Sequence, residues 1–442
     1  MSAIIPRRKP NLIREFRRLK STPLRESSGV VVQVVGLVVE ANGPSCRVGD
    51  LCWIETGVSE RIPAEAVGFR DHRTLLMPLG KMEGVRAGCI VRSTGRQISV
   101  PSGEGLLGRV VNGIAEPMDS GPAICAETFY PLEGDAPNAM ERTMIHRPFG
   151  TGVKAIDGVL TMGVGQRMGI FAGSGVGKST LLGMIARHST ADVNVICLVG
   201  ERGREVREFM EHDLSDALEK SVVVCATSDE PALMRVKAAF AATAIAESFR
   251  DQGLDVMLMM DSVTRFAMAQ REVGLAIGEP PSAKGYTPSV FAMLPRLMER
   301  TGCGKKGSIT AIYTVLVDGD DNNEPIADAA RSILDGHIVL SRKLTSRGHY
   351  PPIDVIQSLS RVMPMVVQSE QVVAANRMRE LLAAYAEVED LVALGAYKEG
   401  SKPVSDEAIS KWTAINDFLR QDKSAGVDFI SSVQNLKEIA HG

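Results

Sequence analysis

The stretch Ala172 to Thr180, AGSGVGKST, constrains this chain more than any other. It follows the apolar, strand-like MGIFA and opens the helix-like STLLGMIARH. A glycine-rich turn between a buried strand and a helix lets backbone N–H groups wrap around an anion, and the helix N-terminus adds a favourable dipole. Gly173, Gly175 and Gly177 carry no Cβ that would obstruct phosphate oxygens. Lys178 is placed to meet β- and γ-phosphates, and the Ser179 hydroxyl is placed to bind Mg²⁺. The phosphate-binding stretch therefore comprises Ala172, Gly173, Ser174, Gly175, Val176, Gly177, Lys178, Ser179 and Thr180. Ala172 stands where the usual pattern begins with glycine, and so small a residue leaves the loop intact.

From residue 166 to about 345 the chain alternates. MGIFA, VNVICLVG, SVVVCAT, DVMLMMD and SITAIYTVL read as buried parallel strands, separated by helical stretches such as PALMRVKAAFAATAIAESFRDQG. This is the grammar of an α/β fold. Asp261 ends VMLMM, on a strand expected beside that of the glycine-rich loop. A carboxylate there holds Mg²⁺ through its water shell, although an aspartate after an apolar run is also a common helix cap. Glu201, in GERGREVREF, lies just past VNVICLV at the same sheet edge. It can polarise a water that attacks the γ-phosphate, or it is one more charge in a charged loop. Arg265, four residues after Asp261, is within range of a phosphate. Tyr350, in GHYPPID, either stacks on an adenine ring or packs beside Pro351. Arg361, in SLSRVM, lies outside the loop and by itself reads as a solvated surface arginine.

The rest of the 442 residues divides by character. Residues 1–28 form a basic arm, with eight Lys/Arg and two acids between Arg7 and Glu26. Leu12, Ile13, Phe16 and Leu19 share one helical face, and Arg14, Arg17, Arg18 and Lys20 share the other. The arm is either a solvated extension or an amphipathic helix offered to a partner or an anionic membrane surface. Residues 29–97 carry five or six short Val-rich strands, with Asn42-Gly43 as a hairpin turn between VVVQVVGLVVEA and CRVGDLCWIE. They suggest a small β-barrel. Residues 98–369 hold the α/β core. Residues 370–442 lose the strand pattern, and two helical periods mark a C-terminal helical domain. The net charge of -3 and 5% aromatic content argue against a nucleic-acid coat or a stacking platform. The seven cysteines form no C-x-x-C pair, and most lie in apolar runs, as reduced, buried residues of a cytoplasmic protein do. No secretory leader and no run of 18 apolar residues is present.

Taken together, AGSGVGKST, GERGREVREF, MMDSVTRFAMAQREVGLAIGEPP, KGYTPSVF, DGHIVLSR and GHYPPIDV resemble the catalytic subunits of rotary ATP synthases. The match is closest to the flagellar and virulence type III protein-export ATPases. EGLLGRVVNG, GTGVKAID and DLVALGAYKEGSKP look like the same branch, so the resemblance spans roughly 29–440. It implies a RecA-like P-loop ATPase core between an N-terminal β-barrel and a C-terminal helical domain, working on ATP with Mg²⁺. It implies that Glu201 is the catalytic carboxylate and that Arg202 and Arg265 contact phosphates. Tyr350 is then the adenine-stacking aromatic, and Arg361 is an arginine finger offered to a neighbouring subunit. Ala276 to Phe291 is expected to face the pore of a homohexamer. The arm is expected to bind a stator-like regulator. Export-gate membrane proteins, chaperones and export substrates are further partners, at the cytoplasmic side of the inner membrane.

Three other functions fit parts of the pattern. A catalytic subunit of a true rotary synthase would co-purify with a membrane proton channel and a second, non-identical head subunit. A Rho-like hexameric RNA motor would show RNA-stimulated turnover. A nucleotide-binding subunit without turnover would not need Lys178, Glu201 and Asp261 together.

Overall fold

The computed structural model describes residues 27–57, 60–126, 128–317 and 324–441, so the basic arm lies outside the described residues up to Glu26. The chain divides into two compact units, with the boundary between Ile98 and Ser99.

The first unit is a closed six-stranded barrel of β1 (Ser28–Val35), β2 (Val38–Asn42), β3 (Asp50–Glu55), β4 (Arg61–Arg70), β5 (Arg73–Pro78) and β6 (Ile90–Gln97), closed in the order β1-β2-β5-β4-β3-β6. Val31, Val39, Cys52, Ile54, Ala64, Leu76 and Val91 fill it, because alternate residues along each strand point inward. The turns differ from the sequence expectation. VVVQVVGLVVEA is two strands, folded back so that Val35 pairs with Val38 across a two-residue turn with Gly36 at φ 57°. Asn42 ends β2, whose neighbours are β1 and β5, so Asn42-Gly43 opens a longer connection and is no hairpin. Another two-residue hairpin falls at Asp71-His72, both left-handed, between the paired Arg70 and Arg73. Barrel closure fixes the strand partners, and that non-local requirement overrides a local turn preference.

The second unit is built on a twisted sheet. Its strands are β7 (Val110–Val111), β8 (Arg167–Ala172), β9 (Val193–Val199), β10 (Ser221–Ala226), β11 (Asp255–Asp261), β12 (Ser308–Leu316), β13 (Gly336–Leu340) and β14 (Ile353–Ser360). They lie in the order β14-β13-β8-β12-β11-β9-β10-β7, all parallel except the edge strand β14, and a short ninth strand, Gly302–Cys303, pairs antiparallel with β12 off this path. All five apolar runs are strands here. Asp261 does not lie on the strand beside the glycine-rich loop, however, since β12 separates β11 from β8.

Three helices matter for the site: α1 (Lys178–His188), α2 (Ala232–Asp251) and α3 (Val263–Ile277). Helix α2 is apolar nearly all round and correspondingly buried. Near its C-terminus Glu247 takes a bidentate ion pair from Arg300, which is 0% exposed and also donates to the Leu132 carbonyl at 2.8 Å. Glu247→Ala leaves that guanidinium without its counter-charge. Urea unfolding should then show a loss of about 3–5 kcal/mol.

The C-terminal helices α4 (Ser369–Ala393), α5 (Pro403–Leu419) and α6 (Phe429–His441) share one apolar core with the sheet. Met378, Leu381, Ile415, Phe418 and Leu436 join Ile156, Ile338 and Ile353. Tyr385 and Trp412 stack across α4 and α5, centroids 3.5 Å apart. Among the described residues no helix is long and apolar enough to cross a membrane. Four of the seven cysteines are buried, Cys197 and Cys225 of the apolar runs among them; Cys46 and Cys303 are half-buried and Cys125 is exposed.

Candidate nucleotide site

The carboxyl ends of β8, β9 and β11 bring the chemistry together. The chain leaves β8 at Ala172 and turns through Gly175 (φ 74°) and Gly177 (φ 92°), left-handed positions that cost glycine little. A Cβ on Gly175 would meet nothing within 4 Å, so the loop is open on that side. Gly177 is the N-cap of α1, and Lys178 is the helix's first residue. Phosphate oxygens placed over this turn would meet free N–H groups at a helix N-terminus.

Lys178 reaches across β12 to β11. Its Nζ bonds Asp261 Oδ1 and lies 3.7 Å from Glu201 Oε1. Thr314, on the intervening β12, donates to the same Asp261 oxygen at 2.9 Å. Ser262 caps α3 by accepting from the Arg265 N–H. The Arg265 side chain returns toward β9, where it donates to the Gly200 carbonyl and to Glu201 Oε2 at 3.1 Å, and its Nε lies 3.1 Å from Glu201 Oε1. Gly200 has φ 68°, and a Cβ there would stand 3.2 Å from the Arg265 side chain. A residue at this bend must therefore be small and left-handed for Glu201 to turn inward.

Glu201 is 8% exposed and Asp261 3%. Burial, and then the Asp261 charge, push the Glu201 carboxyl up to about 7; Lys178 and Arg265 pull the other way. Glu201 Oε1 is buried and takes no well-formed hydrogen bond among the described residues; the Arg265 Nε at 3.1 Å and the Lys178 Nζ at 3.7 Å face it as charges.

The donor set fits a hard divalent cation held jointly with phosphates. Among the described residues no group of three His, Cys, Asp or Glu side chains is arranged for a metal. Ser179 is exposed at the start of α1, and among the described residues Asp261 Oδ2 takes no hydrogen bond. Hydroxyl and carboxylate oxygens completed by phosphate and water are what Mg²⁺ prefers.

Of the other residues singled out from sequence, Tyr350 is 49% exposed. It lines a cavity of ≈ 380 Å³ with Gly177, Thr180, Leu181 and Pro352, beside the loop. Arg202 is not brought to the cluster; its side chain is 74% exposed and pairs with Glu205 at 3.0 Å. Arg361 lies at the opposite end of the sheet, since Ser360 pairs with Gly336 and Gly336 with Met168. The register from Met168 to Ala172 alone spans about 13 Å, so Arg361 cannot reach the loop of its own chain. Two residues at the site escaped the sequence reading. Thr314 lay unmarked inside an apolar run. Arg342 donates to the Ser174 carbonyl at 3.4 Å from just after β13, and the end of DGHIVLSR was its signal.

The fold and site define a P-loop ATPase with a parallel sheet, and comparison with known proteins narrows the class. Residues 152–360 match the nucleotide-binding domain of the ATP synthase alpha/beta family, and residues 31–95 match its beta-barrel domain. Residues 367–438 match the T3SS EscN ATPase C-terminal domain. A "Flagellum-specific ATP synthase" of Bacillus subtilis (strain 168) is 56% identical, covering 89% of this chain and 90% of its own length. A "Type 3 secretion system ATPase" of Xanthomonas euvesicatoria is 51% identical, covering 96% and 95%. The assembled ATPase EscN of the enteropathogenic E. coli type III secretion system superposes with a TM-score of 0.88 at 46% identity, covering 93% of this chain and 100% of its own. The chain belongs to the ATP synthase alpha/beta family, in the branch of flagellar and type III secretion ATPases.

Proposed function

We propose that this protein is the ATP-hydrolysing motor subunit of a bacterial flagellar or type III protein-export apparatus, where turnover drives release and unfolding of export substrates. The observation that carries the reading is the convergence of Lys178, Glu201, Asp261 and Arg265 on the glycine-rich loop. The match of residues 367–438 favours export over a proton-translocating synthase.

The loop amides hold the phosphates, and Lys178 carries positive charge to the transferring group. Ser179, and Asp261 through water, would hold Mg²⁺, which would supply positive charge against the phosphates. Glu201 accepts the proton of the attacking water, and Arg265 fixes the Glu201 carboxylate. Tyr350 offers its ring to the adenine. Arg202, in the loop after Glu201, turns toward phosphate only by leaving Glu205. Four parts divide the work: the arm over 1–28, the barrel over 29–97, the ATPase core over 98–369 and the helices over 370–442.

Arg361 sits too far from its own loop to act there and serves the site of the next subunit. Identical subunits joined in this way close into a ring, here a homohexamer. The similar EscN was solved both assembled and in complex with its central stalk EscO, which supports self-association and a stalk-like partner. The basic arm is the contact for a stator-like regulator and for the anionic inner-membrane surface. The helical end and the pore-facing Ala276–Phe291 segment meet export-gate proteins, chaperones and substrates.

Glu201→Gln tests the catalytic assignment. The amide occupies the same space but is a far weaker base, so ATP binding should persist while hydrolysis falls at least about a hundredfold. In the parent protein, Glu201 works only when ionised. With its carboxyl pushed up to about 7, turnover should fall as pH drops through neutrality. A flat profile from pH 6 to 8, or normal turnover by the Gln variant, overturns the role. A strain carrying Glu201→Gln should fail to export flagellar or effector proteins.

A further inference from the structure

Arg361 follows an edge strand that is far from regular. In the β13–β14 pairing, Val339 stands opposite Asp354 and His337 opposite Leu359. Val355, Ile356, Gln357 and Ser358 therefore all face Ile338 alone, three residues more than regular pairing needs. An odd excess exchanges the two faces of a strand, because side chains alternate with period two. Burial records the exchange. Ile353 and Val355 face inward before the bulge, whereas Ser358 and Ser360 do so after it, and Leu359 is 45% exposed. Arg361 shares the outward parity of Leu359 and is exposed. Without the bulge it would follow Ile353 and Val355 into the core.

Several groups hold the bulge: Ser358 Oγ donates to the Asp354 carbonyl at 2.5 Å and accepts from the Val339 N–H at 2.9 Å, and His337 Nε2 lies 3.0 Å from the Gln357 carbonyl. Asp354 shapes it from within, its Oδ1 accepting from the Ile356 and Gln357 N–H groups at 3.1 Å each. Arg379, on α4, holds it from outside. Its Nη1 donates to the Val355 carbonyl at 2.6 Å and to the Ser358 carbonyl at 2.9 Å, the two ends of the bulge, and its Nη2 lies 3.4 Å from the Val159 carbonyl. Among the described residues Arg379 has no carboxylate partner, and burial alone lowers its pKa. Its bonds there all go to backbone carbonyls. The residue after the bulge is pinned as well, because Ser360 Oγ donates to the Thr161 carbonyl at 2.8 Å and accepts from Gln166 at 3.1 Å.

We propose that Arg379 is the positioning residue for Arg361: by bridging the Val355 and Ser358 carbonyls it locks the bulge that turns Arg361 outward, toward the site of the next subunit. This rests on the reading of Arg361 as a residue that acts in a neighbour's site.

The test compares Arg379→Met, Arg379→Lys and Arg361→Ala in the full-length protein, reading kcat, KM for ATP, nucleotide binding and ring mass. Methionine keeps the length but donates to neither carbonyl. Its kcat should fall about tenfold to a hundredfold, the cost of slight misplacement of a catalytic group, with KM and nucleotide binding within about threefold of the parent. Lysine keeps the cation, and with it the fold, but lacks the guanidinium's fixed fork. Its kcat should lie between those of the parent and the methionine variant. If the methionine variant forms no ring, the lysine variant decides. Parental kcat in the folded variants overturns the proposal, as does a loss of nucleotide binding that matches the loss of kcat. The underlying reading fails separately: Arg361→Ala with parental kcat removes the role of Arg361 itself, whereas inactive Arg361→Ala beside fully active Arg379 variants removes only the role of Arg379.

Discussion

Lys178→Ala should abolish ATP turnover while leaving the fold in place. Lys178 is the cation that stands between two buried carboxylates, bonded to Asp261 and 3.7 Å from Glu201. Its removal costs twice. The transferring phosphoryl group loses its nearest positive charge, an effect of about a hundredfold to a thousandfold for one preorganised electrostatic partner. In addition, Glu201 and Asp261 repel without compensation, which raises the already elevated Glu201 pKa further and protonates the base at neutral pH. Hydrolysis should therefore fall at least about a thousandfold, and any residual activity should rise toward alkaline pH. The fold survives because β8 and α1 are held by Met168, Ile170, Leu181, Leu182 and Ile185 in the core, not by the lysine. Circular dichroism and size-exclusion profiles matching the parent, with no phosphate release, are the expected result. A variant that hydrolyses ATP at the parental rate rules out the loop assignment.

Arg361→Ala should lose about a thousandfold or more in turnover while still binding ATP, since a guanidinium supplied in trans to the transition state is worth that much. Arg361 lies at the other end of the sheet from the loop of its own chain, so in the proposed ring each subunit would hold half a site at each end. Specific activity of the parent should rise with protein concentration as rings assemble. Mixing Glu201→Gln with Arg361→Ala, each inactive alone, should restore part of the activity. Some interfaces then join an intact Glu201 on one subunit to an intact Arg361 on the next. Parental turnover by Arg361→Ala, or specific activity independent of concentration, contradicts the shared site.

The central strands and the phosphate loop were legible because their signals are local. An apolar run bounded by turn residues buries both faces of a strand wherever it sits, and AGSGVGKST forms its turn through glycines that need no distant partner. The six barrel strands were likewise visible as short Val-rich runs. Their turns were not: Asn42-Gly43 carries a strong hairpin preference, yet β2 pairs with β5, and Asp71-His72 accepts left-handed backbone instead. Closure of the barrel decides that, and closure depends on all six strands at once.

The site divides in the same way. Residue identity determined that Lys178, Glu201 and Asp261 were candidates. Only tertiary structure decided their neighbours: it set β12 between the loop strand and Asp261, brought Thr314 onto the Asp261 carboxylate, and drew Arg265 back to Glu201. It left Arg202 exposed, and it sent Arg361 to the far end of the sheet along the antiparallel edge strand β14, past a bulge whose carbonyls are bonded by Arg379 of a helix that follows it in the chain. The physical reason is range. Turn chemistry and hydrophobic period act within a few residues and can be read along the chain. Strand order, register parity and the pairing of buried charges depend on groups separated by tens to hundreds of residues, and only the folded chain brings those together.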